Sequence, residues 1–179
     1  MVVLETPRLI LRRWREADVA PMAAINADPE VMRWIRDGGV RDEQQTRDGI
    51  RAWESEWESH GFGLFAAELR STGELAGFTG LAVPYFLPEV LPAVEVGWRL
   101  GRSHWGQGLA TEAAEAAVRF AFEERGLERI VSIAQVGNDA SERIMAKLGM
   151  HLFRETVSPT AARPVRVFEL SSDRYVATA

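Results

Sequence analysis

The chain has 179 residues, 46% hydrophobic and 26% charged, with a formal net charge of −5. That length suits a single domain over 1–179 with a sizeable core, and the acidic balance gives no overall attraction to nucleic acid. With no cysteine and three histidines, disulfides, thiolate metal sites and a cysteine nucleophile are excluded, and no metal site is expected.

The first four residues are apolar, but Glu5, Pro7 and Arg8 interrupt any signal-peptide core. A first strand is expected over 8–14, where Arg8, Arg12, Arg13 and Arg15 would form its wet face. A helix follows over 16–27, with Val19, Met22, Ala23 and Ile25 on its apolar side. Asp28-Pro29 starts a short turn or helix through Ile35, and Gly38-Gly39 breaks the chain. Ile50, Trp53 and Trp57 mark a second helix over 42–59.

Strands over 62–69 and 75–82 are joined by Ser71-Thr72-Gly73-Glu74, a hairpin signal. The apolar stretch 75–94 contains Pro84, Pro88, Glu89 and Pro92, which rules out a spanning helix; the expectation is a cytoplasmic protein without a membrane partner. The apolar connection over 81–91 is a candidate dimer contact or cleft lid. A strand over 93–100 and a long helix over 107–125 come next. On that helix Glu112, Glu115, Arg119 and Glu123 would be wet, and Ala110, Ala114, Ala117, Val118 and Ala121 would pack on a sheet. A strand over 129–135, a helix over 139–148 stopped by Gly149, and strands over 150–157 and 165–170 complete an α/β order with a mixed sheet.

Residues 103–112, Ser-His-Trp-Gly-Gln-Gly-Leu-Ala-Thr-Glu, carry the most chemistry. Glycines let backbone N–H groups approach a ligand closely, and the helix start adds unsatisfied donors and positive dipole. This combination suits a phosphate or pyrophosphate. It is not a dinucleotide fingerprint, because Thr111 stands where a third glycine belongs, and no Gly-Lys-Ser/Thr of a Walker loop is present. On spacing alone, a glycine loop without a ligand is the alternative.

A second segment, Val136-Gly-Asn-Asp-Ala-Ser-Glu-Arg-Ile-Met-Ala-Lys-Leu-Gly-Met150, opens a helix directly after a strand. Together with Trp105-Gly-Gln-Gly-Leu-Ala110, it resembles the GNAT superfamily of acetyl-CoA-dependent N-acetyltransferases. Gly108 and Ala110 match that family's Gln/Arg-x-x-Gly-x-Gly/Ala signature, while Trp105 replaces the leading residue. With the opening Leu4-Glu-Thr-Pro-Arg-Leu-Ile-Leu-Arg12 and Glu95-Val-Gly-Trp98, the chain is similar to the RimJ/RimL-like branch of ribosomal-protein N-terminal acetyltransferases.

The resemblance implies a single mixed, mostly antiparallel, splayed sheet of about six to seven strands flanked by about four helices. The pantetheine arm of acetyl-CoA would bond the backbone of Trp98, Arg99 and Leu100 in the splay, and the pyrophosphate would sit on Gly106, Gln107, Gly108, Leu109 and Ala110, with the Thr111 hydroxyl as a further donor. Asn138 would bond the pantetheine arm. Its other role is to cap the following helix, for which Asp139 with Glu142 is an alternative box. Many members carry a tyrosine acid where this chain has Met145; Ser141 lies where RimL-like members carry a serine assigned that task. Ser141 shares a helical face with Ile144, Met145 and Leu148, and its alternative role is simple packing in the first turn.

An alkyl amine must lose a proton to attack a thioester. Glu95, between Val94 and Val96 on a buried strand, is the leading base, since burial should raise its pKa. It shares a strand face with Gly97 and Arg99, so an ion pair with Arg99 is the competing role; His104 is the other titrating group nearby. An oxyanion would meet a strand N–H near Trp98. Trp34, Trp53 and Trp57 fall in the helices that line the acceptor cleft of the family. The expected acceptor is a primary amine, foremost a peptide or protein N-terminus, with a small amine as runner-up and a non-catalytic acyl-CoA sensor as the reading of another class.

Overall fold

The computed structural model describes residues 2–175. In chain order, β1 (Leu4–Glu5) and β2 (Leu9–Arg12) lead into α1 (Val19–Asn26), α2 (Pro29–Met32) and α3 (Glu43–His60). Then come β3 (Leu64–Leu69), β4 (Leu75–Ala82), β5 (Val94–Leu100), α4 (Leu109–Arg119), β6 (Arg129–Gln135), α5 (Asp139–Lys147), β7 (His151–Val157) and β8 (Pro164–Ser171). All eight strands join one sheet in the order β1-β2-β3-β4-β5-β6-β8-β7. The sheet is antiparallel except where β5 meets β6. It therefore exceeds the six to seven strands expected, and five helices replace about four. The additional strand, β1, is too short to show an alternation of its own.

Local chemistry sets the boundaries. Asp42 and Gln45 form a reciprocal capping box at the start of α3, and Gly61 at φ 70° ends it in the left-handed region. Asp28 caps α2 ahead of Pro29. The long helix expected over 107–125 is α-helical only to Arg119 and continues as a π-helical turn, Phe120–Glu124, in which the Arg125 N–H reaches back to the Phe120 carbonyl.

Two layers of helix enclose the sheet. Trp14, Val19, Met22, Ile50, Leu64, Ala66 and Phe78 form the core under α1 and α3. On the opposite face Leu9, Leu11, Phe65, Val96, Ala113, Ala117 and Met145 pack with α4 and α5. The alanines let α4 approach the strands closely, and Ala113, Ala114, Ala116 and Ala117 are all buried. Glu112 is an exception to the wet face: its carboxylate accepts from the Thr6 hydroxyl at 2.6 Å and from the Arg8 backbone at 2.8 Å.

The N-terminal arginines also differ from a wet strand face. Arg12 is buried, donating to both Asp18 carboxylate oxygens (2.8 and 2.9 Å) and to Glu68 (2.7 Å). Arg13 pairs with Glu54 and Glu58, and Arg8 with Glu112. The sheet sides that strand periodicity assigns to solvent are covered here by helices carrying carboxylates. The connection over 83–92 folds back with Leu87 and Val90 buried against Val131, Val165 and Val167, which makes it a cover over the second half of the sheet.

A candidate active site where two parallel strands part

β5 and β6 pair in parallel only at Val94↔Ile130 and Glu95↔Val131. Beyond those two positions they separate, while β5 stays paired with β4 from Glu95 to Leu100 and β6 with β8 along its whole length. The Ser132 hydroxyl donates to the Val96 carbonyl at 2.9 Å and closes the apex of the fork. Antiparallel pairing turns alternate residues of β5 toward β4. The Gly101 N–H bonds Ala76, so Arg99 and Gly97 face β4, and Trp98 and Leu100 present their backbone to the open side. There the Trp105 indole takes the Leu100 carbonyl at 2.9 Å, which leaves the Trp98 peptide groups as the open edge. Arg99 thus meets the site through its side chain, whereas its backbone belongs to the β4 ladder.

A cavity of about 270 Å³ opens at this fork. Glu95, Trp98, Arg99, Asn138 and Ser141, far apart in the chain, line it together. Trp34 and Trp53 contribute aromatic wall; Trp57 does not, because it is buried on the other core with its indole N–H on the Leu64 carbonyl. Leu100, Gly106, Gln107, Gly108, Leu109, Ala110 and Thr111 lie outside the cavity, on and just beyond the end of β5.

Glu95 stands in the wall, half-buried and facing the cavity. Burial pushes its carboxyl from 4.5 up to about 8, opposed only by a hydrogen bond from the Ile133 backbone N–H. The competing ion pair with Arg99 is absent among the described residues; the Arg99 guanidinium instead donates to Asn26 Oδ1 at 2.7 Å and lies over the Phe78 ring at 5.0 Å. His104 is buried beside Glu74, at 3.5 Å, away from the cavity, so it is not a second candidate base.

On the other wall, Asn138 is the N-cap of α5: its Oδ1 accepts from the Ser141 N–H at 3.3 Å, so the Asp139–Glu142 box does not form. The cap engages the amide oxygen and leaves the Asn138 NH₂ available to a ligand. The Ser141 hydroxyl lines the cavity and has no hydrogen-bond partner among the described residues. Met145, one turn on, is buried.

The glycine loop has its own geometry. Gly106 (φ 70°) and Gly108 (φ 76°) are left-handed, and no side chain caps α4, so its first N–H groups are free to meet an anion. Loop, open β5 edge and fork lie in succession, joined by the Trp105–Leu100 bond. That succession fits a long, extended ligand with a pyrophosphate, such as acetyl-CoA, whereas no group of three or more metal-ligating side chains occurs among the described residues.

Sequence reasoning missed several lining residues. Gly97 forms the floor between Glu95 and Arg99, and a Cβ there would meet open space; the period-two pattern that linked these three positions was its signal. Arg36 and Arg41, also in the lining, stand beside the Gly38-Gly39 break with no recognisable spacing. Their loop is held from afar: Gln135 donates to the Arg36 carbonyl at 2.6 Å, and Arg163 bridges Gln135 and the Arg33 carbonyl.

A family model described as an acetyltransferase (GNAT) domain matches residues 8–151. The chain is 34% identical to the uncharacterized protein YkkB of Bacillus subtilis strain 168, over 94% of this chain and 95% of that one. A solved acetyltransferase from Agrobacterium tumefaciens superposes with TM-score 0.80 at 28% identity, covering 95% and 94% of the two chains. RimL, a ribosomal L7/L12 alpha-N-protein acetyltransferase solved with coenzyme A, shares the fold at TM-score 0.78 and 16% identity, over 97% and 99%.

Proposed function

The chain belongs to the GNAT acetyltransferase family, and we propose that the fork between β5 and β6 is where it passes acetyl from acetyl-CoA to a primary amine in one ternary complex. The observation that carries this reading is the meeting of Glu95, Ser141, Asn138 and the open Trp98 edge at a single cavity.

Bound acetyl-CoA would supply the thioester, whose C–S bond breaks as the C–N bond to the amine forms. The chain's own groups do the rest. The N–H groups of the glycine loop and the start of α4, from Gly106 to Ala110, hold the pyrophosphate with the Thr111 hydroxyl as a further donor; the Trp98 peptide and the Asn138 NH₂ orient the pantetheine arm. Glu95 in its ionised form takes the proton from the attacking amine, directly or through water. The Ser141 hydroxyl gives a proton to the departing sulfur, a task Met145 cannot perform.

The acceptor we assign first is a peptide or protein N-terminal α-amine, following the RimJ/RimL-like motifs. A small-molecule amine is the second reading, favoured by a cavity that is small by the standards of ligand sites, which run to about 300–1,000 Å³. Thiol release from acetyl-CoA in the presence of N-terminal peptides, polyamines or aminoglycosides tests both. Release with one acceptor class supports transfer; none with any, while acetyl-CoA still binds by calorimetry, replaces catalysis with acyl-CoA sensing.

A further inference from the structure

We propose that the acceptor amine carries an anionic group, a carboxylate or phosphate, which docks on Arg99, Arg41 and Arg36. This inference rests on the acetyl-transfer reading above and narrows its substrate class.

The cavity is lined by four ionisable side chains: Glu95, Arg36, Arg41 and Arg99. Three guanidinium groups therefore converge on one small volume of a chain whose net charge is −5. Among the described residues none of the three has a carboxylate within ion-pair distance, whereas twelve of the chain's other arginines do. Asp37, a carboxylate of the same loop, accepts from the Gly39 N–H at 3.0 Å and lies in the field of both Arg163 and Arg41.

Arg99 is the anchor of the set. It makes one hydrogen bond to Asn26, and its Nε is buried with no partner. A buried unpaired donor on a charged side chain is costly unless something else completes it. Burial and the charges of Arg41 and Arg36 lower its pKa to about 9, so it remains a cation at neutral pH, and Asp37 offsets the repulsion only in part, through Arg41. A guanidinium fork aimed into a cavity is suited to a carboxylate or phosphate.

The strand sets the shape of the molecule. Glu95, Gly97 and Arg99 share one face of β5, with the Cα atoms of Glu95 and Arg99 about 13 Å apart and the bare floor of Gly97 between them. One molecule can then offer its amine to Glu95 and its anion to the arginines. Polyamines and aminoglycosides bring cations to the same arginines and are disfavoured. An acidic amino acid and a peptide beginning with one present the same chemistry, so the test separates them.

The experiment compares matched acceptors: glutamate with glutamine, phosphoserine with serine, and peptides beginning with Asp or Glu with their Asn or Gln twins. The ratio of kcat/KM between each acid and its neutral twin is read for wild type, Arg36→Gln, Arg41→Gln and the double variant, with acetyl-CoA affinity as the folding control. We expect a preference for the acid of about 10- to 100-fold that falls toward unity in the double variant. The peptide and free-amino-acid arms show which source provides the anion. Equal turnover of acid and neutral twin, or preference for a polyamine, overturns the inference and leaves acetyl transfer standing. If no acceptor turns over, acetyl transfer fails, and calorimetry of the coenzyme A-loaded protein with N-acetylglutamate and N-acetylglutamine still decides this inference. Tighter binding of the acid that the double variant loses supports it; equal or absent binding of both refutes it.

Discussion

Replacing Glu95 by Gln tests the assigned chemistry most directly. Moving a carboxyl from 4.5 to about 8 is a bias of roughly 5 kcal/mol toward the protonated form. At pH 7 about one molecule in ten then holds the base form. With an acceptor whose own amine titrates well below pH 7, kcat/KM is expected to rise about tenfold per pH unit up to 8 and to level above it. An α-amine would add its own limb near the same pH, so the choice of acceptor matters. Glu95→Gln keeps the shape and an oxygen for the Ile133 N–H but cannot take a proton, so kcat should fall by about 10²- to 10⁴-fold and the limb near 8 should vanish.

Stability should change in the opposite sense. The folded pKa lies above the unfolded one, so the contribution of the neutral carboxyl is complete below about 4.5 and is lost as pH rises through 8. Thermal melts should therefore show Glu95→Gln gaining on wild type as pH increases from 5 to 9. A variant that retains the limb near 8, or keeps kcat within about threefold of wild type, would refute Glu95 as the base.

Ser141→Ala should lower kcat about tenfold in steady-state assays while changing stability by less than about 0.5 kcal/mol, because the hydroxyl has no partner to lose. Asn138→Asp keeps the oxygen that caps α5 but not the NH₂, so melts should be unchanged while calorimetry shows weaker acetyl-CoA binding; Asn138→Ala should also cost about 1 kcal/mol of stability. Gly97→Val fills open space on a strand without a positive φ, so acceptor turnover should collapse while acetyl-CoA affinity and melting temperature hold. Arg12→Ala strips the buried partner from Asp18 and Glu68 and should cost about 3–5 kcal/mol in urea unfolding.

Some of this was written in local pattern. The Gly106–Gly108 turn, the Asn138 cap, the alanine face of α4 and the placement of Glu95 on an apolar strand depend on neighbours within one or two turns, and such features can be read along the chain. Period two also placed Glu95, Gly97 and Arg99 on one face. What they face, however, depends on elements distant in sequence. The fork exists because β5 loses β6 after two pairs, and nothing local to either strand announces it. Burial of Arg12 depends on Asp18 and Glu68 converging on it, and removal of Trp57 from the cleft depends on its packing against Phe65 and Phe120 and its bond to the Leu64 carbonyl. The convergence of Arg36 and Arg41 on Arg99 requires a loop tied down by Gln135 and Arg163, about a hundred residues and more further along the chain. Sequence by itself determined the family, the glycine turn that opens α4 and the place of Glu95 on an apolar strand, because those rest on short-range backbone geometry and apolar periodicity. Only the tertiary structure decided which charges meet unpaired in the cavity, because long-range packing alone sets the distance between groups so far apart in the chain.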